Sequence, residues 1–192
     1  MIAIIKYNAG NVLSVKNALG RLGQESIITD NLESIQKADK VIFPGVGEAS
    51  TAMNYIKGKQ LDKAILNCRQ PFLGICLGLQ LMCLSSDEGK TQCLGIFNNK
   101  VKLFKGDEKV PHMGWNNFES NKGSLFKGIT IIDDVYYVHS YYAEIGKATA
   151  AVCNYLLPFS AALQKDNFYA TQFHPEKSAA IGDKILQNFL SL

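Results

Sequence analysis

The sequence has no CxxC cysteine pair, no apolar run near membrane length and no marked excess of one charge. Its five cysteines, Cys68, Cys76, Cys83, Cys93 and Cys153, are odd in number. That argues against a disulfide framework and against structural zinc, and it favours a reducing, cytoplasmic compartment. The opening Met1-Ile2-Ala3-Ile4-Ile5-Lys6 lacks a basic region, and its apolar run is too short for a signal peptide. No stretch reaches the roughly 20 apolar residues that span a bilayer. Net charge is +3, from 20 Lys and Arg against 17 Asp and Glu, and no basic cluster concentrates it. Neither a nucleic-acid nor a membrane partner is expected from that balance. Internal repeats, low-complexity tracts and Pro- or Ser-rich linkers are also missing.

What is present is an ordinary globular balance: 192 residues, 47% hydrophobic and 19% charged. This length favours one domain over residues 1–192 with a real core. The first half alternates strand-like and helix-like pieces. Ile2–Tyr7, Ser26–Thr29, Val41–Phe43 and Phe72–Ile75 read as strands. Val12–Leu22, Thr51–Lys57, Leu61–Asn67 and Leu77–Leu84 read as helices. Gly23 ends the first helix, and Asp30 with Glu33 resembles a capping box for a short one. Such alternation implies parallel strands with helices on both faces. The second half is richer in strands, at Val101–Phe104, Val135–Val138, Ala148–Tyr155, Ser160–Gln164 and Phe168–Gln172, and it closes with a helix carrying Ile181, Ile185, Leu186, Phe189 and Leu190. The expected fold is α/β, a mixed and mostly parallel sheet with an antiparallel extension in the C-terminal half. Sites in such sheets lie beyond the carboxyl ends of the strands. Pro44–Gly47 and Cys76 both fall there.

Gly74-Ile75-Cys76-Leu77-Gly78 has the strand–turn–helix context of a nucleophile elbow, with Cys in place of Ser. A turn that sharp strains the nucleophile's backbone, and side chains on either flank would clash. The start of the following helix favours a thiolate, and the Leu77 N–H is placed to face an oxyanion. The competing reading is a buried cysteine between two packing glycines. A thiolate needs an imidazole, and His112, His139 and His174 are the candidates. His174 precedes Pro175, which favours an extended conformation. In extended chain residues i and i+2 share a side, so Glu176 can sit beside His174 and hold one tautomer. Alone, His174-Pro175-Glu176 could equally be a surface turn.

Together these motifs resemble the class I glutamine amidotransferases, and among them the glutaminase subunits of imidazole glycerol phosphate synthases. The resemblance runs along nearly the whole chain. It is carried by Tyr7–Asn11, Phe43–Gly47, Gly74–Leu81, Pro111–Asn116, Val138–Tyr141 and His174–Ser178. It implies a flavodoxin-like fold and a Cys76–His174–Glu176 triad that hydrolyses L-glutamine through a glutamyl thioester. It further implies an oxyanion hole from Gly45, Val46 and Gly47 with Leu77, and glutamine held by Gln80, Glu88, Ser140 and Tyr141. The partner it implies is a (β/α)₈-barrel cyclase that takes up the ammonia and makes imidazole glycerol phosphate and an aminoimidazole carboxamide nucleotide, with Asn11, Trp115, Tyr136 and Lys177 at the interface. No cofactor and no metal are implied. His112 and His139 are interface or structural residues on this reading. The rivals are a paralogous subunit feeding a sugar-amidating or other synthase, and a flavodoxin-like flavin or phosphate binder whose Pro44–Gly47 loop cradles the ligand.

Overall fold

The computed structural model describes residues 1–8 and 10–192; Ala9, part of the Tyr7–Asn11 segment, lies outside the described residues. In chain order the elements begin with β1 (Ile2–Ile5), α1 (Val12–Arg21), β2 (Ser26–Thr29), α2 (Leu32–Lys37), β3 (Lys40–Phe43), α3 (Ala49–Gly58), α4 (Leu61–Leu66), β4 (Phe72–Ile75) and α5 (Leu77–Met82). Short strands follow at β5 (Ser85–Ser86) and β6 (Thr91–Gln92), then β7 (Lys100–Leu103), β8 (His112–Asn116), β9 (Ser120–Asn121), β10 (Val135–His139) and β11 (Tyr141–Ala143). The chain closes with β12 (Thr149–Tyr155), β13 (Leu157–Lys165), β14 (Phe168–Thr171) and α6 (Ala179–Leu190).

One sheet runs β2-β1-β3-β4-β14-β13-β12-β9. Pairing is parallel from β2 through β14 and antiparallel from β14 through β13 and β12 to β9. This is the expected mixed sheet with its antiparallel extension. A strand buried on both faces sends alternate side chains into two cores. β1 does so: Ile2 and Ile4 join one cluster, Ala3 and Ile5 the other. The first cluster is closed by Val15, Ala18 and Leu19 of α1 and by Ile185, Leu186 and Phe189 of α6. Ile35 of α2, Met53 and Ile56 of α3, and Leu61 and Ile65 of α4 close the second. At about 25 cal/mol per Å² of buried apolar surface, these two layers supply most of the drive to fold.

Several boundaries differ from expectation for local reasons. The α2 cap is Asn31, whose Oδ1 accepts from Ser34 N–H at 2.8 Å; Asp30 lies one residue too early. Gly23 ends α1 as expected, with φ 72°. Two further strand groups stand apart from the main sheet. β8 pairs antiparallel with β10, and β11 pairs with β7, which continues to β5 and β6. β8 and β11 fall outside the strands read from the sequence. The β10–β11 bend carries Ser140 over the end of β4, where the site lies.

Candidate active site

Cys76 stands between β4 and α5 with φ 54° and ψ −106°. That backbone is unfavourable for a residue with a Cβ, by about 1–3 kcal/mol. It survives because the surroundings leave no alternative. A Cβ on Gly78 would lie 1.9 Å from the Phe43 carbonyl oxygen, and one on Gly74 would lie 2.5 Å from Met82 Sδ. The glycines let α5 press onto β3 and β4, and that contact forces the turn. Cys76 is 6% exposed and opens into a cavity of about 260 Å³.

His174 follows β14, the neighbour of β4. Its backbone is extended (φ −101°, ψ 93°), as Pro175 requires. The next residues do not remain extended: Pro175–Lys177 form a 3₁₀ turn. Glu176 therefore reaches His174 by a turn, where the sequence pattern suggested strand alternation. The outcome is the same contact, with His174 Nδ1 2.7 Å from Glu176 Oε1. Nδ1 donates to the carboxylate, so Nε2 is the nitrogen turned toward Cys76. Among the described residues Nε2 has no hydrogen-bond partner. Burial pushes the imidazole pKa down, but the Cys76 sulfur and the Glu176 carboxylate push it up further, to about 10. Ser178 Oγ donates to the His174 carbonyl at 2.6 Å and accepts from Tyr136 N–H at 2.9 Å, which fixes the turn against β10.

The Pro44–Gly47 loop leaves β3 beside the cysteine. Tyr7 holds it: its hydroxyl donates to the Pro44 carbonyl at 2.7 Å, and a Cβ on Gly45 would lie 1.9 Å from that hydroxyl oxygen. Burial, then the nearby Cys76 charge, raises the Tyr7 pKa, so the hydroxyl stays a donor. The Leu77 N–H donates to the Gly45 carbonyl at 3.3 Å. The Val46 carbonyl accepts from Gly10 N–H at 3.2 Å. Val46 and Gly47 line the cavity beside Leu77.

Gln80, Glu88, Ser140 and Tyr141 line the same cavity. The Glu88 carboxylate accepts from Ala49 N–H at 2.8 Å, and burial raises its pKa from the ordinary value despite that bond. The Gln80 amide nitrogen lies 2.9 Å from the Tyr141 carbonyl. His139 also lines the cavity; it and His112 are buried and bonded to each other, His112 Nδ1 to His139 Nε2, at 3.0 Å. The tautomers follow. His139 Nδ1 must donate to the Tyr141 carbonyl at 2.7 Å, so its Nε2 accepts from His112 Nδ1, and His112 Nε2 accepts from Asn116 at 3.3 Å. These two rings brace the Tyr141 backbone.

The four residues expected at an interface divide. Trp115, 55% exposed, packs edge-on against Tyr136 across the β8–β10 ladder. Lys177 is exposed on the turn beside Glu176. Asn11 is half-buried, and its amide reaches Glu176 Oε1 and lies 3.5 Å from His174 Nδ1. The left-handed φ of 76° at Asn11 turns its side chain inward. Sequence reading missed this inward contact. It also missed Met113, 61% exposed on the face it shares with Trp115, and Gln172, a fully buried amide two residues before His174. Nothing local marks either residue, and β8 carries its apolar side chains outward. Among the described residues no cluster of His, Cys, Asp or Glu has the arrangement of a metal site. Among the described residues no helix is long and apolar enough to cross a membrane.

The family model described as Glutamine amidotransferase class-I matches residues 3–192. A protein of Bacteroides fragilis strain YCH46, named Imidazole glycerol phosphate synthase subunit HisH, is 58% identical over all of this chain and 99% of its own length. One of the same name from Colwellia psychrerythraea strain 34H is 46% identical over 98% of this chain and 92% of its own. Among solved structures, one described as a glutamine amidotransferase superposes with a TM-score of 0.68 at 19% identity, covering 100% of this chain and 98% of that one. A glutamine amidotransferase of Thermotoga maritima gives a TM-score of 0.63 at 17% identity, covering 99% of this chain and 82% of that one. At such identities the likeness speaks for the fold alone.

Proposed function

The chain belongs to the class-I glutamine amidotransferases, as a subunit of the imidazole glycerol phosphate synthase kind, and from that premise we propose how its residues divide the work. Cys76 is the nucleophile, His174 the proton carrier and Glu176 its orienter. The observation that carries this is the 2.7 Å bond from His174 Nδ1 to Glu176, which leaves the buried Nε2 unpartnered toward Cys76. The Cys76 sulfur attacks the side-chain amide carbon of glutamine. The His174 imidazolium then protonates the departing nitrogen, and ammonia leaves. Water, activated by the same imidazole, attacks the glutamyl thioester and frees glutamate. Neither a flavin nor a phosphate binder needs this pairing.

Substrate roles follow from polarity. Both hydrogens of the Gln80 amide point into the protein, so its oxygen is the end left for the glutamine ammonium, with Glu88 as the charge partner. Ser140 and Tyr141, in the same cavity lining, offer hydroxyl and backbone donors to the carboxylate. The oxyanion hole is closed in this state, because the Leu77 N–H is engaged by the Gly45 carbonyl. Turning the Gly45–Val46 peptide over would free Leu77 N–H and add a second donor from the loop. A resting subunit is thus built to wait for its partner. That partner is a (β/α)₈-barrel cyclase docked over Trp115, Tyr136, Lys177 and the Asn11 corner, and it receives the ammonia. Cys76→Ala should abolish glutamine-dependent synthesis by the complex while added ammonium still drives the cyclase. Retained glutamate release in that variant would remove the assignment.

A further inference from the structure

Amide side chains are ambiguous as to which end is nitrogen, but here one atom settles a whole chain of them. The Tyr141 carbonyl can only accept. The Gln80 group 2.9 Å from it is therefore the NH₂ end. That NH₂ can only donate, and it lies 3.2 Å from the Gln172 side chain, so the near atom of Gln172 is its oxygen. The other end of Gln172 is then NH₂, and it stands 3.7 Å from Cys76 Sγ. Gln172 is fully buried and Gln80 is 4% exposed, so water does not compete for these bonds. His139 donates to the same Tyr141 carbonyl at 2.7 Å and holds the anchor of the chain in place. Besides the imidazole it faces, the other polar contact of the sulfur among the described residues is the Val138 carbonyl, at 3.9 Å. That carbonyl suits S–H and opposes S⁻. The Gln172 N–H does the reverse.

We propose that Gln172 is a further catalytic residue: its side-chain N–H, aimed by Gln80 and the Tyr141 carbonyl, holds the Cys76 sulfur and stabilises its thiolate. This rests on Cys76 being the nucleophile. The donor is oriented before substrate arrives, so no reorganisation is needed when charge collects on sulfur. It also couples the nucleophile to the substrate wall, because the amide that meets glutamine and the amide that meets sulfur share one hydrogen bond.

The test is the pH dependence of Cys76 alkylation by iodoacetamide in the isolated chain, with Cys76→Ala identifying the modified peptide. Thiolate displaces iodide, so the rate follows the thiolate fraction. Gln172→Met removes the donor at similar volume. Gln172→Glu keeps an acceptor for Gln80 but presents oxygen to the sulfur. The half-maximal pH should rise by about one unit in Q172M, with the neutral-pH rate down about tenfold, and further in Q172E. Gln80→Leu leaves Gln172 in place but frees it to turn, and should shift the profile part of the way. A profile matching the parent protein in any one of these variants, with an unaltered circular dichroism spectrum, overturns the inference. The glutaminase reading fails separately, through glutamine turnover by Cys76→Ala.

Discussion

His112 and His139 are held neutral inside the fold, with burial the main cause in each and pKa values lowered to about 4 and about 3. In the unfolded chain both return to about 6.5. Between those limits the unfolded state binds more protons than the folded one, so their contribution to stability is full above the unfolded value and falls as pH drops below it. At about pH 5 the loss is about 2 kcal/mol for each ring, or about 4 kcal/mol for the pair, out of a typical total of roughly 5–15 kcal/mol. The groups facing His139 are His112, His174 and the Tyr141 carbonyl, and none is a carboxylate that would rescue the charged form. His174, raised to about 10, stays protonated when folded while the unfolded imidazole completes its protonation only below about pH 6.5, so it makes acid slightly favourable and trims the loss. Glu88 acts in the same direction through its raised pKa. Urea unfolding followed by circular dichroism at about pH 6.5, 6.0, 5.5 and 5.0 should show the midpoint falling with little change in m. His139→Gln should halve the slope. A total change below about 1 kcal/mol, or a His139→Gln slope equal to the parent's, would refute the neutral pair and with it the brace behind Tyr141.

Two further outcomes follow from the same geometry. Gly78→Ala places a methyl 1.9 Å from the Phe43 carbonyl, which is backbone and cannot swing aside; a loss of about 3 kcal/mol in unfolding free energy is expected, measured by thermal melts. Glu176→Gln keeps the size of the side chain but not its charge, so glutaminase kcat in the complex should fall about 10- to 100-fold, less than for His174→Ala, with KM nearly unchanged.

The parallel half of the fold was legible because both faces of its strands are buried: apolar runs such as Phe72–Ile75 have a single reading. β8 was not legible because it is inside out. His112 points inward, while Met113 and Trp115 stand exposed, the reverse of the alternation expected of a strand over a core. Apart from Tyr136 against Trp115, its apolar side stands open among the described residues, which agrees with a surface made for a partner. The proposed triad was open to sequence reading because its three members lie in two compact motifs. Glu176 reached its place by a turn that the i, i+2 argument did not foresee. Gln172 was invisible for a different reason. Its partners, Gln80 and Cys76, are 92 and 96 residues away, and a buried amide has no periodicity to betray it. Asn11 shares that obscurity, reaching Glu176 across 165 residues.

The left-handed backbone of Cys76 separates what the fold needs from what the reaction needs. Glycine would adopt φ 54° without strain, so folding alone gives no reason for a cysteine here. On the proposed mechanism, cysteine at position 76 is kept against that strain because its sulfur is the nucleophile.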